Sequence, residues 1–190
     1  LIYSVMSTKL LLIFVSMFCI LFSITDTFGV NQKPFVIPEL KIWKGGEGNF
    51  IPSANSRIVY PKGVIQLEKV AKMFAADYFI MFGIKPEVNT GKAKAGDFVM
   101  EIASRKKWAP EDYQNKISDK VTITASNTKG IFWATRTLLQ MAEQNEMQQL
   151  PKGEIIDWPD YGLRGFMLDC GRKFIPLSFL RDYVKIMAYY

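Results

Sequence analysis

The chain has no histidine and only two cysteines in 190 residues. Without histidine there is no Ser–His or Cys–His nucleophile pair, and the commonest zinc ligand is missing. Cys19 sits inside an apolar run near the start, which leaves Cys170 alone in the remainder and allows no internal disulfide framework. No Asn-x-Ser/Thr acceptor occurs, which leans towards a bacterial source. Glycine-rich phosphate cradles are absent too, because Gly45-Gly46-Glu47-Gly48 lacks the strand-to-helix setting such a loop needs. Charge of one sign is scarce: the formal net charge is +6, and Arg105-Lys106-Lys107 is the only basic cluster. That describes a solvated basic surface, and no nucleic-acid partner is expected. Nearly half of the residues, 49%, are apolar and 22% are charged, a globular composition with material for a core.

The one long apolar run, Leu10 to Ile24, follows Met6 and Lys9 and precedes Thr25-Asp26-Thr27-Phe28-Gly29. A single positive charge, an apolar stretch of about 15 residues and small residues after it make a secretory signal peptide over 6–29. Cleavage is expected after Gly29. The run falls short of the about 20 residues that span a bilayer, so no stable membrane anchor is expected. Cys19 follows the bulky Phe18 and is read as part of the apolar run rather than as a lipidation site. The product is then exported, to the periplasm or outside the cell, or to the lysosome in a eukaryote. The chain starts with Leu1 before its first methionine and stops at Tyr190 inside a helical pattern with no cap. An incomplete reading frame is the expectation.

Between 30 and 157 the pattern predicts an α+β domain. Phe35–Trp43 suits an extended strand, Gly45–Asn49 a turn, and Arg57–Tyr60 a second strand. Val64, Leu67, Val70, Ala71, Phe74, Tyr78, Met81 and Phe82 recur at steps of three and four, which draws one helical stripe, with Gly83 as its left-handed stop. Strands follow over Phe98–Ala103 and Val121–Ala125, with Trp108–Asp119 read as a loop. A second helix starts near Thr128, capped by Asn127 or Thr128, with Ile131, Ala134, Thr135, Leu138, Leu139 and Ala142 on its buried face. A last strand covers Glu154–Asp157. One mixed sheet with both helices on a single face accommodates this order. Nothing within it resembles an active site.

From Trp158 the character changes. Leu163–Asp169 is an almost continuous apolar run, Gly171–Pro176 a loop, and Leu177, Leu180, Val184, Met187 and Tyr190 mark a helix. An apolar strand, a short loop and an amphipathic helix form one βα unit of a parallel sheet or barrel. At the C-terminal end of the strand, where barrel enzymes keep their chemistry, stand Asp169 and Arg172.

The segment Asp157-Trp158-Pro159-Asp160-Tyr161-Gly162-Leu163-Arg164-Gly165-Phe166-Met167-Leu168-Asp169-Cys170-Gly171-Arg172-Lys173-Phe174 resembles the opening of the catalytic barrel of glycoside hydrolase family 20, the β-N-acetylhexosaminidases. The shared pattern is Pro-x-x-x-x-Arg-Gly-x-x-Leu-Asp-x-x-Arg-x-Phe, followed by a helix ending Met-Ala-x-Tyr, here Met187-Ala188-Tyr189-Tyr190. Lys129–Gln140 is similar to the second helix of that family's N-terminal α+β domain. The resemblance implies three parts: a signal peptide over 6–29, an N-terminal α+β domain over 30–157, and the truncated start of a (β/α)8 barrel over 158–190. It also implies hydrolysis of terminal, non-reducing N-acetylglucosamine or N-acetylgalactosamine with retention. The 2-acetamido oxygen is the nucleophile, a Glu is the acid, and the preceding Asp orients and stabilises the oxazolinium-like intermediate. No Asp-Glu dipeptide occurs in the sequence, so no catalytic residue lies within the chain; Glu111-Asp112 is the reverse order. Carried over residue by residue, Arg172 is the one substrate-binding group, gripping sugar hydroxyls, with Asp169 in support. Arg164, at the other end of the strand, reads as an ion-paired structural residue. No metal and no cofactor are implied, and the partners are N-acetylhexosamine-containing glycans. Two other readings stand beside this one: a non-catalytic glycan-binding homologue, and another barrel glycosidase that shares the α+β front domain.

Overall fold

The computed structural model describes residues 29–103 and 108–190. The segment expected to be a signal peptide thus lies outside the described residues, Gly29 excepted. A seven-stranded sheet runs in the order β1-β7-β5-β6-β4-β2-β3, with β1 at Ile42–Phe50, β2 at Arg57–Tyr60, β3 at Glu87–Thr90 and β4 at Phe98–Ile102. Strand β5 covers Tyr113–Ile117, β6 Val121–Ala125 and β7 Leu150–Asp157. Strands β3, β2, β4 and β6 are parallel, whereas β6, β5, β7 and β1 alternate in direction. The helices are α1 (Ile65–Phe82), α2 (Thr128–Glu143) and α3 (Leu177–Tyr189). Helices α1 and α2 pack on each other and on the sheet, as expected of one mixed sheet covered on a single face.

The helical stripes read from the sequence are the buried ones. Leu67, Val70, Ala71, Phe74 and Tyr78 of α1 and Ile131, Ala134, Leu138 and Leu139 of α2 join Ile58, Phe98, Met100, Val121 and Ile123 of the sheet in one core. Phe98 meets Phe50 edge-on at 5.4 Å and Phe74 at 5.3 Å, an aromatic contact that spans strand, edge and helix. Helix α1 stops at Gly83, whose φ of 73° is the left-handed conformation that glycine adopts freely, and whose N–H reaches the Phe79 carbonyl at 2.9 Å. Helix α2 opens on Asn127, whose side chain accepts from the Lys129 N–H at 2.8 Å.

Several expectations need correction; the last strand, for one, begins at Leu150 and not at Glu154. The first strand does not cover Phe35–Trp43; it begins at Ile42, and Gly45–Asn49 is no turn but the interior of β1, with a register shift between Gly45 and Asn49. Gly45 and Gly46 belong there because other backbone lies close: a Cβ on Gly45 would run into the Asn31 carbonyl and one on Gly46 would crowd the Lys152 carbonyl of β7, where Gly153 in turn makes room for the Trp43 ring. Trp108–Asp119 is not all loop, since Tyr113–Ile117 is β5, a central strand. Its polar look misled because Asn115 is fully buried and donates to the Ala134 carbonyl at 3.2 Å. Strand β3 was not foreseen; it is short, lies on the edge and carries Glu87 and Asn89. Last, the apolar run Leu163–Asp169 forms no strand, because it joins neither edge of the sheet and a strand exists only with a hydrogen-bonded neighbour. The helix half of that expected βα unit is present as α3; the strand half is not.

Candidate functional site

Asp169 and Arg172 fall in the loop between the Leu163–Asp169 arm and α3. A compact Asx turn shapes this loop: the Asp169 carboxylate accepts the Gly171 N–H at 2.8 Å. The other carboxylate oxygen lies 3.9 Å from Arg172 Nε, at the outer limit of an ion pair. Both side chains are in water, Arg172 with 93% of its surface free. The structure therefore brings together the two residues singled out in the sequence and adds no third group to them. Cys170 between them is exposed and free, with its Sγ turned towards the Leu168 carbonyl.

Arg172 retains nearly all its donors. A guanidinium presents them in a fixed planar fork, which suits two neighbouring hydroxyls of a sugar ring or the two oxygens of a carboxylate. Asp169 turns that fork only weakly at 3.9 Å. Among the described residues no group of three or more Cys, Asp or Glu side chains is placed to hold a metal ion.

Arg164 sits very differently. One guanidinium nitrogen donates to Glu111 and another to the Tyr161 carbonyl, and the group lies 5.2 Å from the Trp133 ring centre. The ion pair read for it in the sequence is present, with Glu111 as its partner.

Sequence reasoning missed a buried polar network on the seam beside Arg164. A cavity of about 300 Å³ opens there between α2, the end of β7 and the arm. Its floor holds Tyr113, which shares a 2.5 Å hydrogen bond with Thr137 and donates to Asp157 at 2.7 Å. Burial, and then the Asp157 charge beside it, push the Tyr113 phenol well above its ordinary value, so it stays a neutral donor. The second Asp157 oxygen accepts the Lys41 N–H at 3.1 Å. Gln140, also on the floor, is spent on Ile37 and Tyr189. Every one of these groups already has a partner within the fold, which suits a structural seam and not a reaction. No sequence signal marked it, because Tyr113 hides in a stretch that reads as loop.

The likenesses of this chain to known proteins agree with the geometry. Residues 33–158 match the family model described as glycosyl hydrolase family 20, domain 2. A β-hexosaminidase of Porphyromonas gingivalis is 28% identical over 134 residues, covering 65% of this chain and 17% of the relative. One from Akkermansia muciniphila is 36% identical over 70 residues, or 36% of this chain and 14% of the relative. The chain thus spans less than a fifth of the length of these curated relatives. Among solved structures, the N-acetyl-β-hexosaminidase of Streptomyces plicatus in complex with Thio-NAglucal superposes with a TM-score of 0.72 at 22% identity, over 85% of this chain and 34% of that one. The GH20 β-N-acetylhexosaminidase of Streptomyces coelicolor gives the same values. At that identity the superposition speaks for the fold alone. The match over 33–158 shows the lineage, and the chain belongs to glycosyl hydrolase family 20, whose domain 2 it carries.

Proposed function

We propose that this chain is the front part of a β-N-acetylhexosaminidase that removes terminal, non-reducing N-acetylglucosamine or N-acetylgalactosamine from glycans. The observation that carries the reading is one of adjacency: the family 20 domain ends at residue 158, and the Arg-Gly-x-x-Leu-Asp-x-x-Arg motif begins within the next six residues. The α+β domain over 30–157 is then a scaffold, and 158–190 is the opening of a catalytic (β/α)8 barrel that continues beyond Tyr190. The reaction retains anomeric configuration. The substrate's acetamido oxygen attacks, and the Asp-Glu pair that assists it belongs to a later barrel strand. Arg172 holds hydroxyls of the reacting sugar, and Asp169 turns its guanidinium towards them. In this reading the 190-residue chain is inactive by itself, and residues 6–29 direct export and are removed after Gly29.

The test is to extend the reading frame past Tyr190, express the product and assay it on a chromogenic N-acetylglucosaminide. The expected result is hydrolysis with retention that a metal chelator leaves unchanged, from a mature protein beginning at Val30. An extended frame with no Asp-Glu pair and no hydrolysis would overturn the enzyme reading in favour of a non-catalytic glycan binder.

A further inference from the structure

The segment after Trp158 is tied to the sheet domain at two seats, one near each of its ends. At the first seat, Lys41 pairs with Asp160 at 2.6 Å, Glu111 pairs with Arg164, and Trp133 of α2 lies under the Arg164 guanidinium. The second seat is on the same helix. There the Tyr189 hydroxyl donates to Glu143 at 2.7 Å, and the buried Gln140 amide donates to the Tyr189 carbonyl at 3.0 Å. Gln140 is itself fixed by Ile37, whose N–H and carbonyl it bonds at 2.8 and 2.9 Å, so this seat is rigid. Between the seats lies the 300 Å³ seam.

The two touching ends also belong to one packed piece. Phe166 of the arm meets Tyr183 of α3 at 5.3 Å, and Tyr183 stacks on Phe179. The chain thus leaves the sheet domain at Arg164, turns at Asp169–Arg172, and returns along α3 to Tyr189. Both seats lie at one end of this piece and the Asp169–Arg172 loop at the other, where Met167 and Phe174 are almost wholly exposed.

We propose that Arg164 and Tyr189 are positioning residues: together they clamp the base of the arm–α3 piece on α2 and so set where the Arg172 loop points. Two separated contacts fix a rigid piece against rotation, whereas either one alone leaves a pivot. The clamp is a property of this chain whatever Arg172 binds; only its consequence for catalysis rests on the hexosaminidase reading.

Amide hydrogen exchange on the chain itself tests the clamp. Tyr189→Phe keeps the ring and removes one hydroxyl. It is expected to speed exchange about fivefold, the effect of one hydrogen bond, in the last turn of α3 and also at residues 161–166 in the other seat. Strands β4 to β7 should exchange as before. Glu111→Arg and Arg164→Glu should each loosen 161–166, and the charge-swapped pair should restore protection, as directly coupled residues do. If Tyr189→Phe loosened only the end of α3, the two seats would not act as one clamp. Equal acceleration throughout β4–β7 would show that the contacts serve the sheet domain instead. In an extended, active protein, Tyr189→Phe should raise KM and lower kcat with the melting temperature of the sheet domain unchanged. Coupled loosening of both seats by Tyr189→Phe in an extended protein that hydrolyses nothing would leave this inference standing and the hexosaminidase reading fallen.

Discussion

Arg164 and Arg172 are eight residues apart, one in the arm and one in the loop that follows it, and do opposite things. Arg164 spends its guanidinium on Glu111, Tyr161 and Trp133, while Arg172 keeps its fork in water beside Asp169. Charged hydrogen bonds contribute about 1.5–3 kcal/mol each, and lysine keeps the charge but not the fork. In the extended enzyme Arg172→Lys is therefore expected to lower kcat/KM at least about tenfold with little change in melting temperature. Arg164→Lys should show the reverse balance, read by kinetics beside a thermal midpoint. Wild-type kinetics in Arg172→Lys would remove Arg172 from the substrate site. A third charged residue, Asp97, is fully buried just before β4, where it accepts Arg57 Nη2 at 2.6 Å, Arg57 Nε at 3.1 Å and the Lys94 N–H at 2.8 Å. Burial pushes its carboxyl up, but the Arg57 hydrogen bonds, the Lys94 N–H and the Arg57 charge outweigh that and hold it below the usual carboxylate range. The unfolded state binds the proton more readily, so the Asp97 contribution is whole above about pH 4 and is lost as pH falls through the lower folded value. The melting-temperature gap between wild type and Asp97→Asn should be steady from about pH 5 to 7 and shrink below about pH 4. A gap independent of pH would contradict this.

At the scale of elements, the helices were legible and the strands only in part. Helices α1 and α2 announce themselves through stripes at steps of three and four and through Gly83 and Asn127 at their ends, all local features. Strand β5 gives no such sign. Tyr113, Asn115 and Ile117 face inward together, and Asn115 is held there by its Nδ2, which donates to the Ala134 carbonyl of α2, while its buried Oδ1 finds no partner among the described residues. Strand β1 hides behind glycines that partners elsewhere in the chain require: Gly45 lies against the Asn31 backbone, Gly46 against that of Lys152, and Trp43 in turn packs on Gly153 of β7. Gly153→Ala should therefore cost about 1–3 kcal/mol, the range for overpacking a tight contact. Chemical denaturation would show a lower midpoint at an unchanged slope, and a neutral effect would mean that the Trp43 ring swings aside without cost.

The whole molecule divides into a sheet domain with its own core and an arm–helix piece that contributes almost nothing to that core, Tyr189 apart. Residues 30–157 are expected to fold alone and melt in a single transition. Limited proteolysis of the chain should cut first between 165 and 176, where Met167 and Phe174 stand exposed, and leave the sheet domain whole. Early cuts inside β4–β6 would refute that division. The sequence by itself determined the two helices and their caps, the α+β class, the family and the Asp169–Arg172 motif, because each is written in neighbouring residues or a short fixed spacing. Only the tertiary structure decided that Tyr113–Ile117 is a central strand, that Gly45–Asn49 is no turn, and that Arg164 and Tyr189 share one helix as their support. Those outcomes depend on partners distant in the chain: a backbone carbonyl for Asn115, a glycine beneath Trp43, and Glu111 and Glu143 for the clamp. The apolar arm makes the same point in reverse, since its residues favour a strand and, with no sheet edge to join, form none.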